Sequence, residues 1–189
     1  MQTEQYQGDV CSARHSFALD NFIRRLFQNP EKIVGPYINK GDTIIDLGCG
    51  PGFFTIDMAW MTGEKGTVIA VDLQEEMLEK VDRKIQQFGL NNRVIKHRCQ
   101  QDSLGLDPSL KADFILAYYM VHETPDQESF FKEIGTLLKQ DGRLLIVEPP
   151  FHVSKKAFEG MTRIAEKSGF TIVDRPRKKG GKSLLLTMI

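Results

Sequence analysis

The chain has 189 residues, 41% hydrophobic and 26% charged, the composition of an ordinary soluble protein with one domain and a sizeable core. Lysine plus arginine equals aspartate plus glutamate at 25 each, so overall charge points to no polyanionic partner. No apolar run is long enough to span a bilayer, the N-terminal "MQTEQYQGDVCSARHS" lacks a signal peptide's apolar core, and Cys11, Cys49 and Cys99 form no CxxC pair; membrane insertion, a disulfide framework and a zinc site are disfavoured, and a reducing cytoplasm is expected.

The first 42 residues differ in character from the rest. Leu19, Phe22, Ile23, Leu26 and Phe27 form one stripe at helical spacing, and "NP" at 29–30 caps a second, shorter helix before "NKGD" turns into a strand. Residues 1–42 are therefore expected to be a helical cap packed on the core. From residue 43 onward, β-branched runs alternate with helical patterns. The strand candidates are 43–47, 67–72, 93–97, 113–119, 143–149, 170–175 and 183–189. In "QEEMLEKVDRKIQQFGL" (74–90), Met77, Leu78, Val81, Ile85 and Phe88 recur at helical spacing and Gly89 supplies the stop. Near-continuous apolar strands separated by helices imply a parallel sheet covered on both faces, an α/β fold. The last two strands are joined by a basic Pro- and Gly-containing turn with no helix, which predicts an antiparallel hairpin.

The most informative stretch is "TIIDLGCGPGFFTIDMA" (43–59), where Gly48, Gly50 and Gly52 follow an apolar run ending in Asp46. In an open parallel sheet, ligands sit beyond the carboxyl ends of the strands. Glycines in that loop tolerate the tight turn and give a bare backbone to an approaching ligand, with helix N-terminal amides directed at it. A dinucleotide fingerprint needs GxGxxG, and Phe53 follows Gly52, so a nicotinamide-dinucleotide oxidoreductase is the weaker alternative. "GGKS" at 180–183 is not a phosphate-binding loop, because Pro176 occupies the required first glycine.

With these residues the chain resembles the class I S-adenosylmethionine-dependent methyltransferases, particularly their small-molecule "type 11" branch, over about residues 43–189. "IIDLGCGPGFFT" is similar to the family's first motif and "VIAVDLQEEML" to its second. "KHRCQQDS", "ADFILAYYMVHETPD" and "LLKQDGRLLIVEP" resemble the third to fifth regions, in the right order. The resemblance implies a Rossmann-like, doubly wound seven-stranded sheet of order 3-2-1-4-5-7-6 with strand 7 antiparallel, and a methyltransferase core over 43–189. It gives Gly48, Cys49, Gly50 and Gly52 the contacts to the methionyl part of S-adenosyl-L-methionine, and Asp46 the task of fixing the loop or reaching the cofactor's amino group through water. Asp72 would accept from both ribose hydroxyls, a role that suits an acceptor-only carboxylate at a strand end. Leu73 would pack on the adenine, Asp102 would accept from its amino group, and Tyr118 would offer its carbonyl to the ammonium. The family's glycine before that aspartate is Gln101 here.

Methyl transfer from a sulfonium needs alignment and water exclusion, and no metal. A base helps only where the acceptor carries a proton of high pKa. His122 and Glu123, after the fourth strand, and Glu148, ending the fifth, are the acceptor-side candidates, with His122 and Glu123 read as catalytic. Tyr118 and Tyr119 can line the site, and Arg14 and His15 can close over it. The basic hairpin Arg175, Arg177, Lys178, Lys179 and Lys182 lacks interleaved aromatics, so it reads as a solvated edge and not a nucleic-acid patch. The expected protein is a cytoplasmic methyltransferase acting on a small-molecule acceptor. The alternative is a cofactor-binding protein without transfer activity.

Overall fold

The computed structural model describes residues 28–177 and 181–188. Asn29 caps helix α1 (Pro30–Val34) by accepting the Lys32 N–H, and Pro30 sits at the first helical position, where its missing N–H costs nothing. The stripe from Leu19 to Phe27, with Arg14 and His15, lies outside the described residues.

The chain then alternates as expected except between β3 and β4, where the expected helix is replaced by a loop over 99–111: β1 (Thr43–Leu47), α2 (Phe53–Thr62), β2 (Thr67–Asp72), α3 (Glu75–Phe88), β3 (Val94–Arg98), β4 (Ala112–Tyr118), α4 (Gln127–Leu137), β5 (Leu138–Glu148), α5 (Lys155–Lys167), β6 (Phe170–Asp174) and β7 (Lys182–Met188). The seven strands form one sheet of order β3-β2-β1-β4-β5-β7-β6. All neighbouring pairs from β3 to β5 are parallel, and β7 runs antiparallel to both β5 and β6. The order and direction expected from the resemblance are those observed.

Both faces of the sheet are covered, and the strand pleat decides which side chain goes where. Ile45, Leu47, Ile69, Val71, Ile115 and Ala117 point to one face, against Phe130, Phe131 and Ile134 of α4 and Phe158 and Met161 of α5. Ile44, Val68, Ala70, Phe114 and Leu116 point to the other, against Phe53 and Met58 of α2, Leu78 and Val81 of α3, and Ile33 and Val34 of α1. Tyr37, in the turn after α1, stacks on Phe114 with centroids 5.9 Å apart. Truncating a fully buried member such as Leu116 to alanine costs about 2–5 kcal/mol.

Two further details depart from the sequence pattern. Phe88, counted in the apolar stripe of α3, is 44% exposed, because the helix ends one turn beyond its last buried contact, Ile85. The fifth strand begins at Leu138 and not at Arg143. Ala112 pairs with Leu138 and Phe114 already with Arg143, so the four intervening residues, "KQDG", bulge out of the ladder.

Candidate active site

β1, β2 and β4 end on the same side of the sheet, and the loops after them enclose a cavity of about 900 Å³, within the usual range for small-molecule sites. Gly48, Gly50 and Gly52 all have positive φ, at 63°, 53° and 80°, a region that L side chains avoid. Their surroundings differ. A Cβ on Gly48 would lie 2.9 Å from the Met120 Cβ, and one on Gly52 would press on Val81 at 3.2 Å, whereas one on Gly50 would meet nothing within 4 Å. Only Gly50 is therefore bare toward open space.

The loop's amides are partly used inside the protein. Cys49 N–H donates to the Val71 carbonyl (3.0 Å) and Gly52 N–H to the Cys49 carbonyl (3.1 Å). Gly50 N–H donates to Asp72 Oδ2 (2.8 Å). These three amides hold the loop in shape. Asp46 is buried and its Oδ2 accepts the Thr55 hydroxyl at 2.6 Å, tying the end of β1 to the first turn of α2.

Asp72 ends β2 and is 7% exposed. Its Oδ1 accepts the Gln74 N–H at 2.9 Å, and the two bonds leave the carboxylate acceptor capacity to spare. Burial pushes its pKa up, opposed by the amides of Gln74, Gly50 and Leu73. Leu73 is half-buried beside it and lines the cavity. Gln101 and Asp102 lie on the exposed loop after β3 and line the same cavity. That loop is held by Glu133 of α4, whose Oε1 accepts from the Ser103 hydroxyl (3.1 Å) and Gly105 N–H (3.0 Å) and whose Oε2 accepts from Leu104 N–H (2.9 Å). Nothing in the sequence marks Glu133, which reads as one acidic residue on an amphipathic helix.

Tyr118 ends β4, and its ring packs at a tilt between Phe54 (4.5 Å) and Tyr119 (4.2 Å). Tyr119 has φ 62°, the one non-glycine with positive φ among the described residues, a backbone state that costs about 1 kcal/mol or more and concentrates at functional sites. Gln28 Nε2 donates to its hydroxyl at 3.2 Å. His122 and Glu123 follow in a single 3-10 turn, Val121–Glu123. Glu148, fully buried at the end of β5, accepts the His122 main-chain N–H on Oε1 at 3.2 Å and contacts the ring Nδ1 through Oε2 at 2.5 Å. That hydrogen bond raises the His122 pKa against the opposing effect of burial, while burial raises that of Glu123. Asp126 caps α4, accepting the amides of Glu128 and Ser129.

Asp46, Gly48, Cys49, Gly50, Asp72, Leu73, Gln101, Asp102, Tyr118, His122 and Glu123 all line the one cavity. Gly52 supports it from behind, as the left-handed cap of α2. Burial, followed by the charge of Asp46, pushes the Cys49 thiol up, and burial pushes Cys99 to about 11, so neither is a poised nucleophile. Among the described residues no group of three or more His, Cys, Asp or Glu is arranged to hold a metal ion.

The site's residues fit S-adenosylmethionine: an open glycine faces the cavity beside a buried strand-end carboxylate with spare acceptor capacity, and a loop aspartate lines the same cavity. The methyltransferase domain family model matches residues 38–181. A demethylmenaquinone methyltransferase of Lactobacillus johnsonii is 32% identical over 59% of this chain and 45% of its own length. A ubiquinone/menaquinone biosynthesis C-methyltransferase of Cronobacter sakazakii is 26% identical over 73% of this chain and 53% of its own; the chain thus spans about half the length of these curated relatives. A crystal structure of a SAM-dependent methyltransferase from Aquifex aeolicus superposes with a TM-score of 0.84 at 25% identity, covering 95% of this chain and 100% of that one. With sheet order, glycine loop and family model in agreement, the chain belongs to the methyltransferase domain family as a class I member, whose cofactor is S-adenosylmethionine.

Proposed function

We propose that this protein transfers a methyl group from S-adenosylmethionine to a small-molecule acceptor. The observation that carries the reading is the bond from Gly50 N–H to Asp72, which fixes a ribose-binding carboxylate beside the open part of the glycine loop. When bound, S-adenosylmethionine supplies a methyl group on a positively charged sulfur, activated for in-line displacement. Gly48, Cys49 and Gly50 form the floor under its methionyl part, Asp72 accepts from the ribose hydroxyls, Leu73 packs on the adenine, Gln101 and Asp102 take its edge, and the Tyr118 carbonyl receives the ammonium. Asp46 acts at one remove, holding Thr55 and so the start of α2.

The acceptor lies under Phe54, Tyr118, Tyr119 and Met120, a wall suited to a flat ring. The names of the curated relatives refer to quinone biosynthesis, and a ring of that type is the acceptor class that the aromatic wall favours. His122 takes a proton from the acceptor, and Glu123 stands beside it. The described part of the N-terminal segment, 28–42, packs on the core through Ile33 and Val34, which are buried against α2.

The protein works in the cytoplasm, with neither nucleic acid nor membrane as partner. No helix among the described residues is long and apolar enough to cross a membrane. Arg175 is paired with Glu159, and Lys182 donates to the Pro150 and Val153 carbonyls, so part of the basic hairpin's charge is used internally.

Calorimetry with S-adenosylhomocysteine tests the cofactor site: binding is expected for the wild type and largely lost in Asp72→Ala. A screen of metabolite extract with methyl-labelled S-adenosylmethionine tests transfer. Binding without any labelled product would replace this reading with that of a non-catalytic cofactor-binding protein.

A further inference from the structure

Glu148 is a carboxylate with 0% exposure, lying behind His122, which lines the cavity. Burying an ionised carboxylate is costly unless its lone pairs are met, and an apolar side chain would have served packing alone. Both its oxygens go to one residue: Oε1 to the His122 main-chain N–H and Oε2 to the ring Nδ1. Gripping backbone and ring together removes the freedom of the imidazole to turn. An ionised carboxylate only accepts, so beside ionised Glu148 the hydrogen of that contact belongs on Nδ1, and in the neutral ring the lone pair is left on Nε2. Nε2 lies 4.0 Å from Glu123 Oε1, and both side chains line the cavity.

We infer that Glu148 is a positioning residue: it holds His122 in the Nδ1–H form with Nε2 toward the acceptor, committing the site to acceptors that lose a proton on methylation. The inference rests on the methyl-transfer reading above and narrows its substrate class. An acceptor O–H, N–H or acidified C–H bond breaks, and its proton passes to Nε2. Its electron pair forms the new bond to the methyl carbon, and sulfur keeps the pair of the bond it loses. The imidazolium so formed is held against the carboxylate of Glu148, and Nε2 later returns the proton to water. Tertiary amines and thioethers have no proton to give, and they gain nothing from the pair. The ionisable groups around the ring are Glu148 from β5 and Glu123 in its own turn, with Asp126, Glu133 and His152 also lining the cavity. Glu148 is the largest influence on the ring and makes it a stronger base than a free histidine.

The test begins with the wild-type protein and S-adenosylhomocysteine. Long-range nitrogen-proton NMR, with His122 assigned by the signal lost in His122→Asn, is expected to show a single Nδ1–H tautomer above the ring's pKa. An Nε2–H tautomer, or a mixture, overturns the inference without any need for the Glu148 variant to fold. In Glu148→Gln the amide can turn either face to the ring, so a tautomer mixture and an earlier, lower-pH deprotonation are expected. A folded Glu148→Gln that keeps the pure Nδ1–H form overturns Glu148's role. Products of the labelled-methyl screen in which methyl replaces hydrogen on oxygen, nitrogen or carbon support the substrate class; quaternary ammonium or sulfonium products overturn it. Failure of S-adenosylhomocysteine to bind is a separate result, striking the methyl-transfer reading, and calorimetry registers it independently of the tautomer.

Discussion

Gly50 and Asp72 lie 22 positions apart, yet the main-chain N–H of the first donates to Oδ2 of the second at 2.8 Å. The bond joins the loop after β1 to the end of β2. It makes the glycine loop and the strand-end carboxylate, to which the proposed function gives the cofactor's methionyl part and sugar, a single unit. Loss of the carboxylate therefore removes a ligand contact and loosens the loop together. Asp72→Ala is expected to lower affinity for S-adenosylhomocysteine at least tenfold, since a hydrogen bond to a charged group contributes about 1.5–3 kcal/mol and tenfold is about 1.4 kcal/mol. Because burial raises the Asp72 pKa, wild-type affinity falls as pH drops through that raised value, sooner than for an ordinary aspartate. Calorimetry across pH reads both effects, and Asp72→Asn should lose this pH dependence.

Gly48 and Gly50 separate two costs that a glycine-rich motif normally hides. Both have positive φ, which costs alanine roughly 1–2 kcal/mol. At Gly48 the new methyl also meets the Met120 Cβ at 2.9 Å, and overpacking of this kind adds about 1–3 kcal/mol. Thermal unfolding should show Gly48→Ala clearly less stable than Gly50→Ala. Gly50→Ala should instead show weaker S-adenosylhomocysteine binding, because its Cβ occupies open space in the loop.

Glu133 holds three donors of the 103–105 segment on one carboxylate. Replacing it by alanine should leave the global transition within a few degrees of wild type, as expected for a change confined to a half-exposed loop, while amide exchange at Leu104 and Gly105 accelerates. The neighbouring Gln101 and Asp102 lose their support, so cofactor affinity should fall several-fold, on the order of one lost hydrogen bond of about 1 kcal/mol. Unchanged exchange at Leu104 would show that the latch carries no tension.

The His122–Glu148 pair also links stability to pH. The folded-state pKa of His122 is raised, first by its hydrogen bond to Glu148. A raised histidine pKa means extra stability fully present below its ordinary value of about 6.5 and lost as pH rises through the folded value. The melting-temperature gap between wild type and His122→Asn should thus be larger at about pH 5.5 than at about pH 9.5. A gap that widens on going to alkaline pH would contradict the pairing.

The sequence alone determined the alternation of strands and helices, their order in the chain and the place of the glycine loop. Each of these rests on short-range physics. Residues 44, 45, 68, 69, 114 and 115 are apolar without a break because both faces of those strands are covered, and the run reads as a buried strand wherever it occurs. The seven-strand order came from resemblance and not from the pattern itself, since alternation fixes direction and not neighbours. Asp72 was legible because a carboxylate ending an apolar strand stands out. The extended start of β5 was not, because "KQDG" looks like a turn and becomes a bulge only when Leu138 pairs with Ala112.

What only the tertiary structure decided was which polar groups meet. Glu133 and the 103–105 segment, Thr55 and Asp46, Tyr119 and Gln28, and Glu148 and His122 are brought together by the packing of whole elements. No local pattern encodes such pairs, because hydrogen-bond partners are set by distances across the fold and not by spacing along the chain. Of the three glycines, the sequence marked all as equally open, and the fold left only Gly50 so: Met120 and Val81 arrive against the other two from distant parts of the chain.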